Sequence, residues 1–71
     1  MESCNVVLIG VPEDKKSKII SILRSEVRID LTGAKNMVGN LPSTVKANVP
    51  KNVADGIAAT LTAAGAEVAV Q

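Results

Sequence analysis

An α+β fold, with a small sheet under one layer of helices in a two-layer sandwich, is predicted by three observations on this chain. Residues 4–9, 43–49 and 67–70 carry strand patterns, and residues 15–27, 31–38 and 50–64 carry helical spacing. The segments run strand-helix-helix-strand-helix-strand, and short connections leave no room for a linker.

Composition bounds what such a fold is built from. With 71 residues the chain forms a single domain, 1–71, and a chain of that size buries only about 60% of its unfolded surface. Apolar residues make up 46% and aromatics 0%, so the core consists of closely packed Val, Ile, Leu, Ala and Met. One cysteine, Cys4, excludes an internal disulfide, and the absence of histidine removes the usual metal-ligand clusters. Cys4 is expected to be a small, buried or half-buried apolar residue. Eight basic and seven acidic residues leave a net charge of +1, so no overall field draws the chain to nucleic acid or to a membrane surface. The N-terminus lacks the pattern of a signal peptide, and no apolar run approaches the roughly 20 residues of a membrane span, so a cytoplasmic location is expected.

The first strand is apolar on both faces: Val6 and Leu8 are expected inward, Val7 and Ile9 outward. Glu13 and Asp14 open the first helix, 15–27, with Ile19, Ile22 and Leu23 on its core face and Ser17, Ser21, Arg24 and Arg28 as a solvent-side stripe. Lys15, Lys16 and Lys18 crowd the first turn, where cations oppose the helix dipole; that cost suggests retention for a partner. Asp30 is placed to cap a short second helix, whose core face is Leu31, Ala34 and Val38. Gly39-Asn40 is expected to end it in the left-handed conformation, before Pro42. In the second strand, period-two alternation puts Val45, Ala47 and Val49 inward. Pro50 opens the third helix, which buries Ala54, Ile57, Ala58, Leu61 and Ala64 and ends at Gly65. Gly56 in its middle costs stability unless a close backbone approach compensates.

No constellation for chemistry is present. Acid–base work would fall to scattered carboxylates, lysines and Cys4, and neither a nucleophile-base set nor a phosphate-cradling glycine loop occurs. Without aromatics there is nothing on which single-stranded nucleic acid would stack. A non-enzymatic protein-interaction module is expected, with no cofactor, no metal, no direct nucleic-acid contact and no membrane contact.

Residues 16–71 resemble the C-terminal domain of the bacterial ribosomal stalk protein of the L-seven/L-twelve family. The likeness is carried by Leu23-Arg24, by Leu31 with Ala34-Lys35 and Val38, by Pro42 with Val45-Lys46, and by Val49-Pro50-Lys51 leading into Ala54. The tail from Leu61 through Gly65 to Val68 completes it. The resemblance implies an α+β sandwich with a three-stranded antiparallel sheet. It also implies a helical face, made by the first two helices and their turn, that recruits translational GTPases, elongation factors G and Tu. Carried over by position, that face is Lys16, Ser17, Ile20, Ser21, Arg24, Asp30, Leu31 and Lys35. Four residues depart from the family pattern: Ser17 replaces an apolar residue, Ser21 a lysine, Asp30 a glycine, and Gly33 a glutamate.

The family's N-terminal dimerising and anchoring segment has no counterpart ahead of the first strand, so a free-standing relative is expected. Two readings follow. In one, Lys16, Arg24 and Lys35 still pair with acidic groups of a GTPase, and Ile20 and Leu31 add apolar contact. In the other, the fold is reused as an adaptor or regulatory module for a different protein, because Asp30 places a negative charge where an acidic partner would press. Ala69, with Val7 and Ile9, also offers the outer sheet face as the interface of a weak homodimer.

Overall fold

β-branched residues at Val6, Val7 and Ile9 set up an extended first segment, and in the computed structural model, which describes residues 3–71, it becomes the central strand. The elements are β1 (Cys4–Gly10), α1 (Lys16–Ser25), α2 (Leu31–Gly39), β2 (Ser43–Val49), α3 (Lys51–Ala63) and β3 (Glu67–Val70), with a 3₁₀ turn at Glu13–Lys15. The sheet order is β2-β1-β3, and both pairings are antiparallel. This is the strand-helix-helix-strand-helix-strand α+β fold that the periodicity predicts. Val6 and Leu8 are 0% exposed and join Ile19, Leu23, Ala34, Val38, Val45, Ala54 and Leu61 in one apolar core. Val7 and Ile9 face the other way, where Val7 is cross-strand neighbour to Thr44 and Ala69.

Helix α1 is shorter than its spacing suggests. Glu13–Lys15 forms the 3₁₀ turn, the α-helix begins at Lys16, and it ends at Ser25 rather than at Val27. The early end follows from burial: Glu26 N–H still donates to Ile22 O at 2.8 Å, and then Arg28, at φ 62°, reverses the chain. Ile29 N–H returns to Leu23 O at 3.0 Å, and the reversal leaves Val27 in the core. Arg28 therefore lies beyond the helix, not on its solvent stripe. At the other end Lys16 Nζ pairs with Glu13 Oε1 at 2.9 Å, so the acidic turn offsets one of the three lysine charges that oppose the dipole.

Three further expectations are corrected. Leu31 is not core: it is 42% exposed, because a first-turn side chain leans back past its own helix terminus instead of down onto the sheet. Neither Gly39 nor Asn40 is left-handed; α2 ends instead through side chains, with Asn40 Nδ2 donating to Asn36 O at 2.9 Å. Ser43 Oγ adds to this end, sharing its proton between Asn40 O at 2.6 Å and Met37 O at 3.0 Å. In β2, Ala47 is exposed while Val45 is buried and Val49 half-buried, because the register against β1 shifts between the Cys4 and Val7 pairings. Asn48, at φ 56°, takes up part of the irregularity and donates its N–H to Asn5 Oδ1 at 3.0 Å.

Helix α3 ends as its glycine predicts. Gly65 has φ 106°, its N–H donates to Thr62 O at 3.0 Å, and Ala66 N–H donates to Leu61 O at 3.1 Å, the paired bonds of a Schellman cap. Gly56 is exposed, and a Cβ built there meets nothing within 4 Å, so no close approach explains it. Its cost is purely conformational. Gly56→Ala is therefore expected to stabilise the domain by about 1 kcal/mol. Thermal unfolding should show the midpoint rising by about 4–8 °C; an unchanged or lower midpoint would contradict this account of α3.

Candidate functional site

Seven-residue helical spacing brings Ser17, Ser21 and Arg24 onto one face of α1, and the left-handed turn at Arg28 swings the chain back beside that face. The result is an open groove of about 710 Å³ between α1 and the start of α2. Six of the eight residues expected on the interaction face line it: Ser17, Ile20, Ser21, Arg24, Asp30 and Leu31. Lys16 and Lys35 do not; Lys16 is held by Glu13, and Lys35 is exposed on α2 outside the groove.

Ser25, Arg28 and Ile29 complete the lining and are absent from the expected set. Arg28 left a trace in the sequence, four residues after Arg24, but helical spacing alone gives the wrong reason for its position. Ile29 is an apolar residue in a connection, which hints at a docked turn. Ser25 lies four residues after Ser21 on the same face of α1, a spacing that could have found it.

The α2 edge of the groove is fixed by one hydrogen bond. Asp30 Oδ1 accepts the Gly33 N–H at 2.8 Å, the N-cap geometry expected of this Asp, while Ala34 N–H donates to Asp30 O at 2.8 Å. Gly33 belongs to the same device. A Cβ on residue 33 would lie 2.6 Å from Asp30 Oδ1 and 2.9 Å from Ile29 Cγ2, closer than real contacts allow. With Asp30 capping in this way, a side chain at position 33 is sterically disfavoured.

The groove carries two guanidiniums, Arg24 and Arg28, neither of which has an ion-pair partner among the described residues. Against them stands one carboxylate, Asp30, with an oxygen already engaged by Gly33. Exposed Leu31 and half-buried Ile20 and Ile29 supply apolar surface between the charges. No nucleophile-base pair lines the groove. Cys4 is a free thiol buried in the core. Among the described residues no cluster of three or more His, Cys, Asp or Glu is placed to hold a metal ion, and no helix is long and apolar enough to cross a membrane.

Comparison with known proteins places the chain in a family. The model of the ribosomal protein L7/L12 C-terminal domain matches residues 4–71. The chain belongs to this family. The match takes in β1, which the motif-by-motif resemblance starting at residue 16 left out. Relatives described as "Large ribosomal subunit protein bL12" include one from Syntrophobacter fumaroxidans, 40% identical over 94% of this chain and 52% of the relative. Another, from Herpetosiphon aurantiacus, is 42% identical over 93% of this chain and 52% of the relative. One from Aquifex aeolicus is 37% identical over 87% of this chain and 48% of its own length. The chain thus spans about half the length of the curated relatives it matches.

The Asp30–Gly33 coupling can be read in stability. Asp30→Ala should cost about 1 kcal/mol and Asp30→Gly only a few tenths. Gly33→Ala, normally favourable in a helix, should instead destabilise the parent chain and do so less in the Asp30→Gly background. A double-mutant cycle from urea unfolding measures the difference. Additive effects would show that the two positions are independent.

Proposed function

We propose that this domain is a ribosomal-stalk-type recruiting module whose α1–α2 groove binds translational GTPases, elongation factors G and Tu. The observation that carries the reading is the gathering of Ser17, Ile20, Ser21, Arg24, Asp30 and Leu31, positions named from the family resemblance, around one open groove. Arg24 offers a planar fork suited to a partner carboxylate, and exposed Leu31 offers apolar contact beside it. The family relatives named as large ribosomal subunit proteins support a role in translation. No catalysis by the domain is part of this reading: it holds a partner, and the chemistry is the partner's.

The adaptor reading rests on a different observation, the Asp30 carboxylate at the groove edge. Like charges brought together at an interface cost several kcal/mol, so an acidic GTPase surface meets a penalty here. The two readings separate in a titration of the purified domain against elongation factor G and elongation factor Tu at low and moderate salt. GTPase recruitment predicts measurable binding that weakens with salt. It also predicts about a five- to tenfold loss in Arg24→Ala and a smaller loss in Lys35→Ala, which lies outside the groove. Absence of binding to both factors at low salt rejects GTPase recruitment. Binding that emerges only in Asp30→Gly would show that the parent groove has turned to another partner.

A further inference from the structure

We propose that Arg28 is a specificity-determining contact of the groove, a second guanidinium that selects a partner segment carrying two acidic side chains, one for Arg24 and one for Arg28. The inference rests on the groove being the surface that meets the translational GTPase, and it goes beyond that reading by naming a residue outside the face expected from the family and the charge pattern it demands.

Three observations carry it. First, Arg28 holds φ 62°, a left-handed conformation that suits glycine, asparagine or aspartate and is unfavourable for a long side chain. Asn48 is the other non-glycine residue at positive φ among the described residues, and its short amide suits that region. Arg28 has no such local reason, and its helix-ending turn would form more easily with glycine. Strained residues of this kind cluster at ligand-binding and switch sites. Second, the strain delivers Arg28 to the groove. The residue lines it together with Arg24, which comes from the last turn of α1. Third, both guanidiniums are without ion-pair partners among the described residues, while the lone groove carboxylate, Asp30, already accepts the Gly33 N–H. Two forks facing one engaged carboxylate leave the groove short of negative charge. Carboxylates match guanidinium forks in pairs of parallel hydrogen bonds. The occupant that fits is a protein segment with two Asp or Glu residues flanking an apolar side chain that rests on Leu31 and Ile29.

Substitution by glycine separates a binding role from a structural one, because it removes the side chain while easing the backbone. Elongation factors G and Tu are the probes, titrated against the parent domain, Arg28→Gly and Arg28→Lys at two salt concentrations, with thermal unfolding measured in parallel. Arg28→Gly is expected to unfold at a higher temperature yet bind about fivefold more weakly at low salt, the gap narrowing as salt rises. Arg28→Lys should fall between, since it keeps the charge and loses the fork. Parent-like binding by Arg28→Gly overturns the inference and leaves the recruiting function standing. Absence of factor binding by the parent domain overturns both. If single-stranded RNA displaces the factor and itself binds through Arg28, the groove answers to phosphate, and the acidic-segment assignment falls.

Discussion

Every strand pairing in this domain passes through β1. The two outer strands hydrogen-bond to it and not to each other, so the sheet has no second route by which it could hold together. Val6 and Leu8 project from the middle of that strand into the helical layer, fully enclosed. With no aromatic residue to span a gap, the helices must come close to the strand, and the core shows how they do so. Ala34, Ala54, Ala64 and Ala66 are buried beside larger residues such as Leu8, Ile19, Leu23 and Leu61. Small side chains at the helix surfaces let the backbones approach, and dispersion between close-packed aliphatic groups takes the place of a few large rings.

That packing determines where the groove can form. α1 must stop early for Val27 to reach the core, and stopping early requires the chain to turn sharply before α2. The turn and the first residues of α2 are then left standing beside α1 instead of being packed under it. The groove is thus a by-product of how two short helices share one core, and its edges are set by ordinary devices: a cap at Asp30 and a left-handed residue at Arg28. Asp30 and Gly33, two of the departures from the resembled pattern, sit at such a device and outside the buried core. Change at the edges leaves the scaffold intact and alters what it presents.

The fold was legible in the sequence because its signals are local and redundant. Period two in the strands, helical spacing in α1 and α3, Asp30 before α2 and Gly65 after α3 each depend on a few neighbouring residues, and each agrees with the others. The misreadings share a cause of another kind. Alternation predicts Ala47 inward, but a register shift against a distant strand moves it out. Leu31 fitted the core stripe, yet the first turn of a helix overhangs its end. Val27 and Arg28 continued the periodicity of α1 after the backbone had already left it, since burial of one residue outweighed the pattern of the rest. The groove followed the same division: Ser17, Ser21, Arg24 and Ser25 share a face of α1 by spacing, whereas Arg28 and Ile29 joined them only through a turn that tertiary packing imposes.

The solitary thiol gains a significance from its location on the strand that holds the sheet together. Cys4 lies at the first position of β1, shielded by the core and opposite Val49 of β2. A reagent in solution reaches such a sulfur only when the strand end lifts or the whole domain opens, so its labelling rate at a given pH measures how often that happens. The chain thus carries its own clock for the loosening of β1. No label need be engineered in, and a second thiol cannot confuse the signal, because Cys4 is the sole cysteine in the sequence.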